Sequence, residues 1–275
     1  MTFSIVARSD DGQSWGVAVA SKFLGVGSVV PMAVASVGAV ATQADANVSY
    51  KSLALGQLDM GATAVETLQF LLESDPRRTH RQAGIVDAEG RAATHTGTDC
   101  LPWAGGCTGP GYAVQGNVLV GPEVVEEMER AFLGSDPGAL LSRRLLAALT
   151  AGDDIGGDRR GRQSAALLVV REGAGYGGLD DVAVDLRVDD HEDPVGELTR
   201  LLALHELYLT ASTEEERLPV DDSLRAELES FAAERGHDRF LDWVGTENYE
   251  MRVAPDLSWI DQKVLDAVRS EETAS

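Results

Sequence analysis

The sequence predicts an α+β fold, a four-layer αββα sandwich followed by a small helical module. Three observations carry that prediction: strands mostly follow strands, helices come in pairs, and a polar, acidic texture sets in after Leu209. A doubly wound parallel sheet would instead alternate strand and helix. Two antiparallel sheets packed face to face, with helix pairs outside, fit the observed order.

The elements justify themselves in turn. Phe3 to Arg8 is apolar and β-branched, Ser9-Asp10-Asp11-Gly12 is a turn, and Trp15 to Ala20 returns as the second arm of a hairpin. Apolar runs at Met32 to Val37 and Ala39 to Thr42 are broken at Gly38. Ser49 to Gln57 and Ala62 to Glu73 read as helices, the second with Ala64, Val65, Leu68, Leu71 and Leu72 at helical spacing. Gln82 to Val86 and Arg91 to Thr96 flank the turn Asp87-Ala88-Glu89-Gly90. The glycine-rich stretch Gly105 to Gly116 reads as a loop leading into a strand over Tyr112 to Val120. It lacks the lysine of a phosphate-binding loop. Pro122 opens a helix to Phe132, and Leu140 to Leu149 is its pair. Strands at Ser164 to Val170 and Val182 to Val188 precede a helix from Asp193-Pro194 to Leu209.

The domain division follows from texture: residues 1–210 form the sandwich, and 211–275 a linker and a small helical module. Thr210 to Pro219, with Glu214-Glu215-Glu216, reads as the linker, and helical spacing returns at Leu224, Leu228 and Phe231. So short a module needs its aromatics inside, which assigns Trp259 to the core and leaves Trp243 open.

Charge narrows the partners. With 45 acidic against 23 basic residues, the net charge is −22. Such a chain is repelled by phosphate backbones and anionic lipid, so neither nucleic acid nor a membrane is an expected partner. No apolar run approaches the ~20 residues that cross a bilayer, and no secretory leader pattern opens the chain. The expected location is cytoplasmic, where Cys100 and Cys107 are free thiols. No Cys/His spacing suits zinc, and no cofactor is expected. Asp189-Asp190-His191-Glu192-Asp193 has metal-ligand chemistry, but Asp193 before Pro194 is better read as a helix cap. No metal is expected there.

The start of the chain carries the chemistry. Thr2 follows Met1, and removal of Met1 would leave a threonine at the head of a strand. Such a residue holds its own nucleophile and base: the hydroxyl attacks a carbonyl and the α-amine takes the proton. An α-amine titrates at about 7.7–8.0, which suits it to the task.

Several stretches resemble the domain-of-unknown-function family 1028, grouped with the Ntn hydrolases. They are Thr2-Phe-Ser-Ile-Val-Ala7, Ser21-Lys-Phe23, Val26-Gly-Ser-Val-Val-Pro31, Gly38-Ala-Val-Ala-Thr-Gln43, Gly84-Ile-Val-Asp87, His95-Thr-Gly97, Trp103-Ala-Gly105 and Gln115-Gly-Asn117. Gly157-Asp-Arg-Arg-Gly-Arg-Gln-Ser164 and Asp185-Leu-Arg-Val-Asp-Asp-His191 complete the series. The resemblance implies the αββα sandwich and an N-terminal-threonine amidohydrolase acting on a small amide or peptide. Thr2, Lys22, Asp158 and Asn117 are then the expected catalytic residues, and Ser21, Gln43, His95 and Arg162 the expected substrate contacts. Each has a structural alternative. Lys22 reads equally as a solvated loop lysine, and Asp158 as an ion-pair partner of Arg159, Arg160 or Arg162 or as a turn residue. Asn117 reads as a buried amide, and His95 as a hydrogen-bonded strand-end histidine. A binding or structural protein on the same sandwich is the rival function.

In the tail, Trp243-Val-Gly-Thr-Glu-Asn-Tyr-Glu-Met-Arg252 and Asp256-Leu-Ser-Trp-Ile-Asp261 resemble a conjectural peptidoglycan-binding domain. That resemblance implies a peptidoglycan-derived fragment as substrate; packing on the main domain or assembly into a homo-oligomer is the alternative.

Overall fold

The computed structural model describes residues 2–274. It is a mixed α/β structure with antiparallel sheets, and nine α-helices occur among the described residues. The chain forms two compact units, the first ending at Leu201 and the second starting at Leu202.

In the first unit the order is β1 (Thr2–Arg8), β2 (Ser14–Ser21), α1 (Val26–Val29), β3 (Pro31–Val34), β4 (Gly38–Ala44), α2 (Ser49–Asp59) and α3 (Ala64–Ser74). Then come β5 (Arg81–Asp87), β6 (Ala92–Thr96), β7 (Ala104–Gly109), β8 (Tyr112–Asn117), α4 (Glu123–Gly134) and α5 (Leu141–Asp154). β9 (Ser164–Arg171) and β10 (Val182–Val188) follow, and α6 (Pro194–Leu209) begins in this unit and ends in the second. One sheet has the order β10-β9-β2-β1-β8-β7, the other β3-β4-β5-β6.

Local chemistry sets the turns and caps. At the β1–β2 turn, Ser9 Oγ accepts the N–H of Ser14 at 2.9 Å, and Gly12 takes φ 72°, which an L side chain rarely adopts. Thr63 and Glu66 form a reciprocal capping box at the start of α3. The buried Asp87 carboxylate caps the same helix, accepting Ala64 N–H at 3.1 Å while holding Arg91 Nε at 2.7 Å.

Helices α4 and α5 pack on the six-stranded sheet, α2 and α3 pack on the four-stranded sheet, and the sheets contact each other through β1, β2 and β8 against β4 and β5. The layer between the sheets is divided. Around Val6, Trp15, Val17, Ala39 and Val86 it is an apolar core. At the Thr2 end of β1 it is filled with buried polar side chains instead. Under α2 and α3, Tyr50, Leu55, Leu68, Leu71 and Ile85 form a separate apolar cluster. Behind α2, Asp75 gathers Tyr50 Oη at 3.0 Å and Arg81 Nε at 2.8 Å.

The glycine-rich stretch expected as a loop contains β7, paired along its length with β8. Strand β8 ends at Asn117 rather than Val120, because Val118 turns to φ 53°.

The second unit contains β11 (Arg217–Pro219), α7 (Asp222–Glu234), α8 (Phe240–Thr246), β12 (Trp259–Asp261) and α9 (Gln262–Ala274). Its aromatic assignment corrects the expectation at Trp259 and decides the open case of Trp243. Trp243 is in the core, stacked on Phe240 with ring centroids 5.3 Å apart and edge-on to Phe231 at 5.0 Å. Trp259 is half-buried on β12, with the Arg217 guanidinium 4.4 Å from its ring centroid. The reason is position: α8 presents Trp243 to α7, while the short β11–β12 pair leaves one side of Trp259 outside. Residues 210–219, polar enough to suggest a linker, are tied into this unit by charge. Buried Arg252 donates to Asp261 Oδ2 at 2.8 Å and to Glu216 Oε2 at 3.1 Å, and Lys263 Nζ donates to Glu216 Oε1 at 2.6 Å.

Candidate functional site

β1 is flanked by β2 and β8, so its first residue is held from both sides. Thr2 lies opposite Asn117 on β8, and Phe3 lies opposite Ala20 on β2. Thr2 is buried, and its Oγ1 shares a hydrogen bond of 3.1 Å with the Oγ of buried Ser21. Alternation along β1 sends Thr2, Ser4 and Val6 to one face, toward the second sheet.

Four carboxamides meet that face. Gln43 and Gln82 are cross-strand neighbours on β4 and β5, and Gln115 and Asn117 come from β8. Gln82 Oε1 accepts from Gln43 Nε2 at 2.8 Å and from Asn117 Nδ2 at 2.9 Å. The same two amides reach the carbonyl of Thr2, at 3.3 and 3.5 Å. Ser4 Oγ donates to Gln43 Oε1 at 2.7 Å and accepts from Gln115 Nε2 at 2.6 Å. Gln82 Nε2 donates to Gly116 O at 2.7 Å and to Thr96 Oγ1 at 2.8 Å. Room for this cluster comes from Gly84, where an added Cβ would lie 2.1 Å from Gln115 Oε1.

Of the expected residues, Thr2, Ser21, Gln43 and Asn117 are joined directly by these bonds. The amide protons of Asn117 point to Gln82 and to the Thr2 carbonyl, the setting of the buried-amide alternative. Asp158 is buried near this end of β1. Its Oδ2 accepts the backbone N–H of Lys22 at 2.7 Å and its Oδ1 that of Arg160 at 2.9 Å. It pairs with Leu119 in an isolated bridge, two residues beyond Asn117. Lys22 meets Asp158 through its main chain, while its exposed ammonium donates to Arg162 O at 3.2 Å. Arg162 is exposed and holds Asp153 through Nε at 2.9 Å. Burial pushes the Asp153 carboxyl up, and the Arg162 guanidinium partly offsets that.

His95 is not part of the cluster. Thr94 and Thr96, its neighbours on β6, bond into the carboxamides, so strand alternation turns His95 to the opposite face. There Nε2 lies 3.0 Å from Arg78 O, beside α3. In the acidic run, Asp193 Oδ1 accepts Gly196 N–H at 3.3 Å at the start of α6. Among the described residues, no group of three or more His, Cys, Asp or Glu is gathered to hold a metal ion.

Gln82 and Gln115 are the members that residue types alone did not single out. The signal available was a glutamine in the buried part of each strand, Gln82 beside Arg81 at the start of β5 and Gln115 two residues before Asn117 in β8.

The model for the family described as "Family of unknown function (DUF1028)" matches residues 2–198. The chain belongs to DUF1028. A crystal structure of a Silicibacter pomeroyi protein, described as carrying the DUF1028 family model, superposes with a TM-score of 0.67 at 30% sequence identity. The similarity covers 74% of this chain and 89% of that one. No curated protein matches the chain. The DUF1028 match therefore spans all of the candidate site and ends within α6. Among the described residues, no helix is long and apolar enough to cross a membrane.

Proposed function

We propose that the first unit is a four-layer αββα sandwich of the Ntn-hydrolase type and that Thr2 is the nucleophile of an amidohydrolase acting on a small amide or peptide. The observation that carries the reading is the setting of Thr2. It heads an inner strand, its hydroxyl is paired with Ser21, and its carbonyl is pinned by two buried amides. A nucleophile so fixed meets the geometric demand of catalysis by positioning.

The reaction requires Thr2 to carry a free α-amine. The hydroxyl oxygen attacks the substrate carbonyl carbon as its proton passes to the amine. The tetrahedral intermediate collapses, the scissile C–N bond breaks, and the ammonium returns the proton to the leaving amine. Water then attacks the threonyl ester and releases the acid, with the α-amine again taking and giving the proton. Ser21 orients the hydroxyl, and Asp158 holds the chain at Lys22. The tail's resemblance to a peptidoglycan-binding domain favours a peptidoglycan-derived peptide as substrate.

A non-catalytic role on the same sandwich has its own support: the carboxamide donors are spent within the protein, as in a purely structural network. One experiment separates the two. Intact mass of the native protein should show Thr2 as the first residue, and a β-lactone probe should add one acyl group to it. Thr2→Ala should fold normally and take up no probe. Retention of Met1, or equal labelling of Thr2→Ala, overturns the amidohydrolase.

A further inference from the structure

Four strands lie at sheet edges in the first unit: β10 and β7 in the six-stranded sheet, β3 and β6 in the other. Natural edge strands are kept from pairing by shortness, Pro, charged side chains, bulges or a covering element. β3 has four residues and begins with Pro31, β6 has five, and β7 is Ala-Gly-Gly-Cys-Thr-Gly. β10 is neither short nor broken by Pro, and its charges are one of each sign, Asp185 and Arg187. It runs seven residues, Val182-Ala-Val-Asp-Leu-Arg-Val188, without Pro, Gly or Lys. Its one irregularity is a register shift confined to Val182–Val184.

Two further features mark this edge. Tyr176 and Leu179, at 84% and 89% exposure, are the most exposed large apolar side chains among the described residues, and both lie in the β9–β10 connection. Large exposed apolar groups beside an open edge indicate a surface made to be covered. The seven residues of β10 sum to zero charge in a chain of net charge −22, because Asp185 and Arg187 balance through a two-pronged ion pair at 2.9 Å for each bond, while Asp180-Asp181 before it and Asp189-Asp190 after it are acidic. Two such chains repel over most of their surface, and the centre of β10 is the stretch of this edge where they can approach.

We propose that β10 pairs antiparallel with β10 of a second copy of this chain, about a two-fold axis through Leu186. An isologous pair requires a strand complementary to itself. With Leu186 opposite Leu186 of the partner copy, Asp185 faces Arg187 of the partner copy and Arg187 faces Asp185 of the partner copy. Val184 faces Val188 in the same way. Opposite charges directly across an antiparallel pair stabilise it, and like charges destabilise it. The two six-stranded sheets then run on as one. The occupant is a second copy rather than an unrelated peptide because the charge order Asp-Leu-Arg is its own antiparallel complement.

Sedimentation velocity on the full-length protein tests this. The wild-type chain should sediment as a dimer at micromolar concentration. Asp185→Arg places four guanidinium groups at the seam and Arg187→Asp places four carboxylates there, so each variant should sediment as a monomer. Mixed in equal amounts, the two variants face each other with every charge matched, and the dimer should return as a heterodimer. Circular dichroism of each variant establishes that loss of the dimer is not loss of fold. Hydrogen exchange on the wild-type chain is independent of any substitution: amides of residues 183–188 should gain protection as concentration rises. A wild-type monomer at high concentration, a dimer indifferent to both reversals, or a mixture that stays monomeric overturns the proposal.

Discussion

Gln82→Leu removes the acceptor on which the inter-sheet cluster turns. Gln82 is fully buried, and its Oε1 holds one amide proton of Gln43 at 2.8 Å and one of Asn117 at 2.9 Å. The leucine leaves both protons without that partner inside a packed layer. An orphaned buried donor costs about 1–3 kcal/mol, so two cost about 2–6. Added apolar surface offsets about 1 kcal/mol of that. The net expectation is a loss of about 3 kcal/mol, or roughly a hundredfold in the opening equilibrium. Native-state hydrogen exchange of the full chain, read on peptides from β4 and β5, reports that quantity locally. Protection there should fall about a hundredfold, while peptides from α7 to α9 stay unchanged. A fall of less than about fivefold on β5 would mean that the cluster does not depend on Gln82, and the magnitude argued from the bonds would be wrong.

Asp75 provides an acid-dependent counterpart. Burial pushes its carboxyl up, but hydrogen bonds from Arg81, the Arg77 N–H, Asn47 and Tyr50 pull it further down, so the folded value lies below the ordinary one. Its contribution is complete above the unfolded pKa of about 3.9 and is lost as pH falls below that; Asp75→Asn should flatten the decline of first-unit stability between about pH 4 and 2. In the second unit, the hydrogen bond from Lys263 leads the causes that bring Glu216 from 4.5 to about 2. Glu216→Gln should remove the corresponding loss of stability between those values, read from exchange of α9 peptides. Burial and then the charge of Glu129 push the Cys107 thiol up to about 12, and burial also raises Cys100. Both should react slowly with a disulfide reagent at pH 8 and rapidly once the chain is unfolded in urea. Gly84→Ala drives a Cβ into Gln115, whose side chain is fully buried and cannot swing away. The resulting loss should be about 2–3 kcal/mol, visible as a lower thermal midpoint of the first unit.

The first hairpin was legible because Ser9-Asp-Asp-Gly12 is strong turn chemistry between two largely apolar runs. Thr2, Ser21, Gln43 and Asn117 were legible as motif members, though not as a cluster. Their meeting depends on the register of β1 against β2 and β8, which no local pattern encodes. Strand alternation around Thr94 and Thr96 would have excluded His95 had the direction of the inner face been known. β7 was illegible because glycine is a poor strand former. Its glycines are demanded by space: Trp103 lies over Gly105, and the Tyr112 hydroxyl over Gly109. Trp259 was expected in the core and Trp243 left open because aromatic content says how much core a module needs, not which ring fills it.

The divided layer between the sheets has a thermal consequence. Its Val6–Trp15–Val86 end is held by apolar burial, whose driving force fades on cooling and whose exposure raises heat capacity. Its Thr2 end is held by hydrogen bonds among buried amides, and exposing polar groups lowers heat capacity. The two ends of one layer therefore have opposite heat-capacity signatures. On cooling, the sheets loosen first at the apolar end, while the carboxamides keep the two sheets fastened beside Thr2.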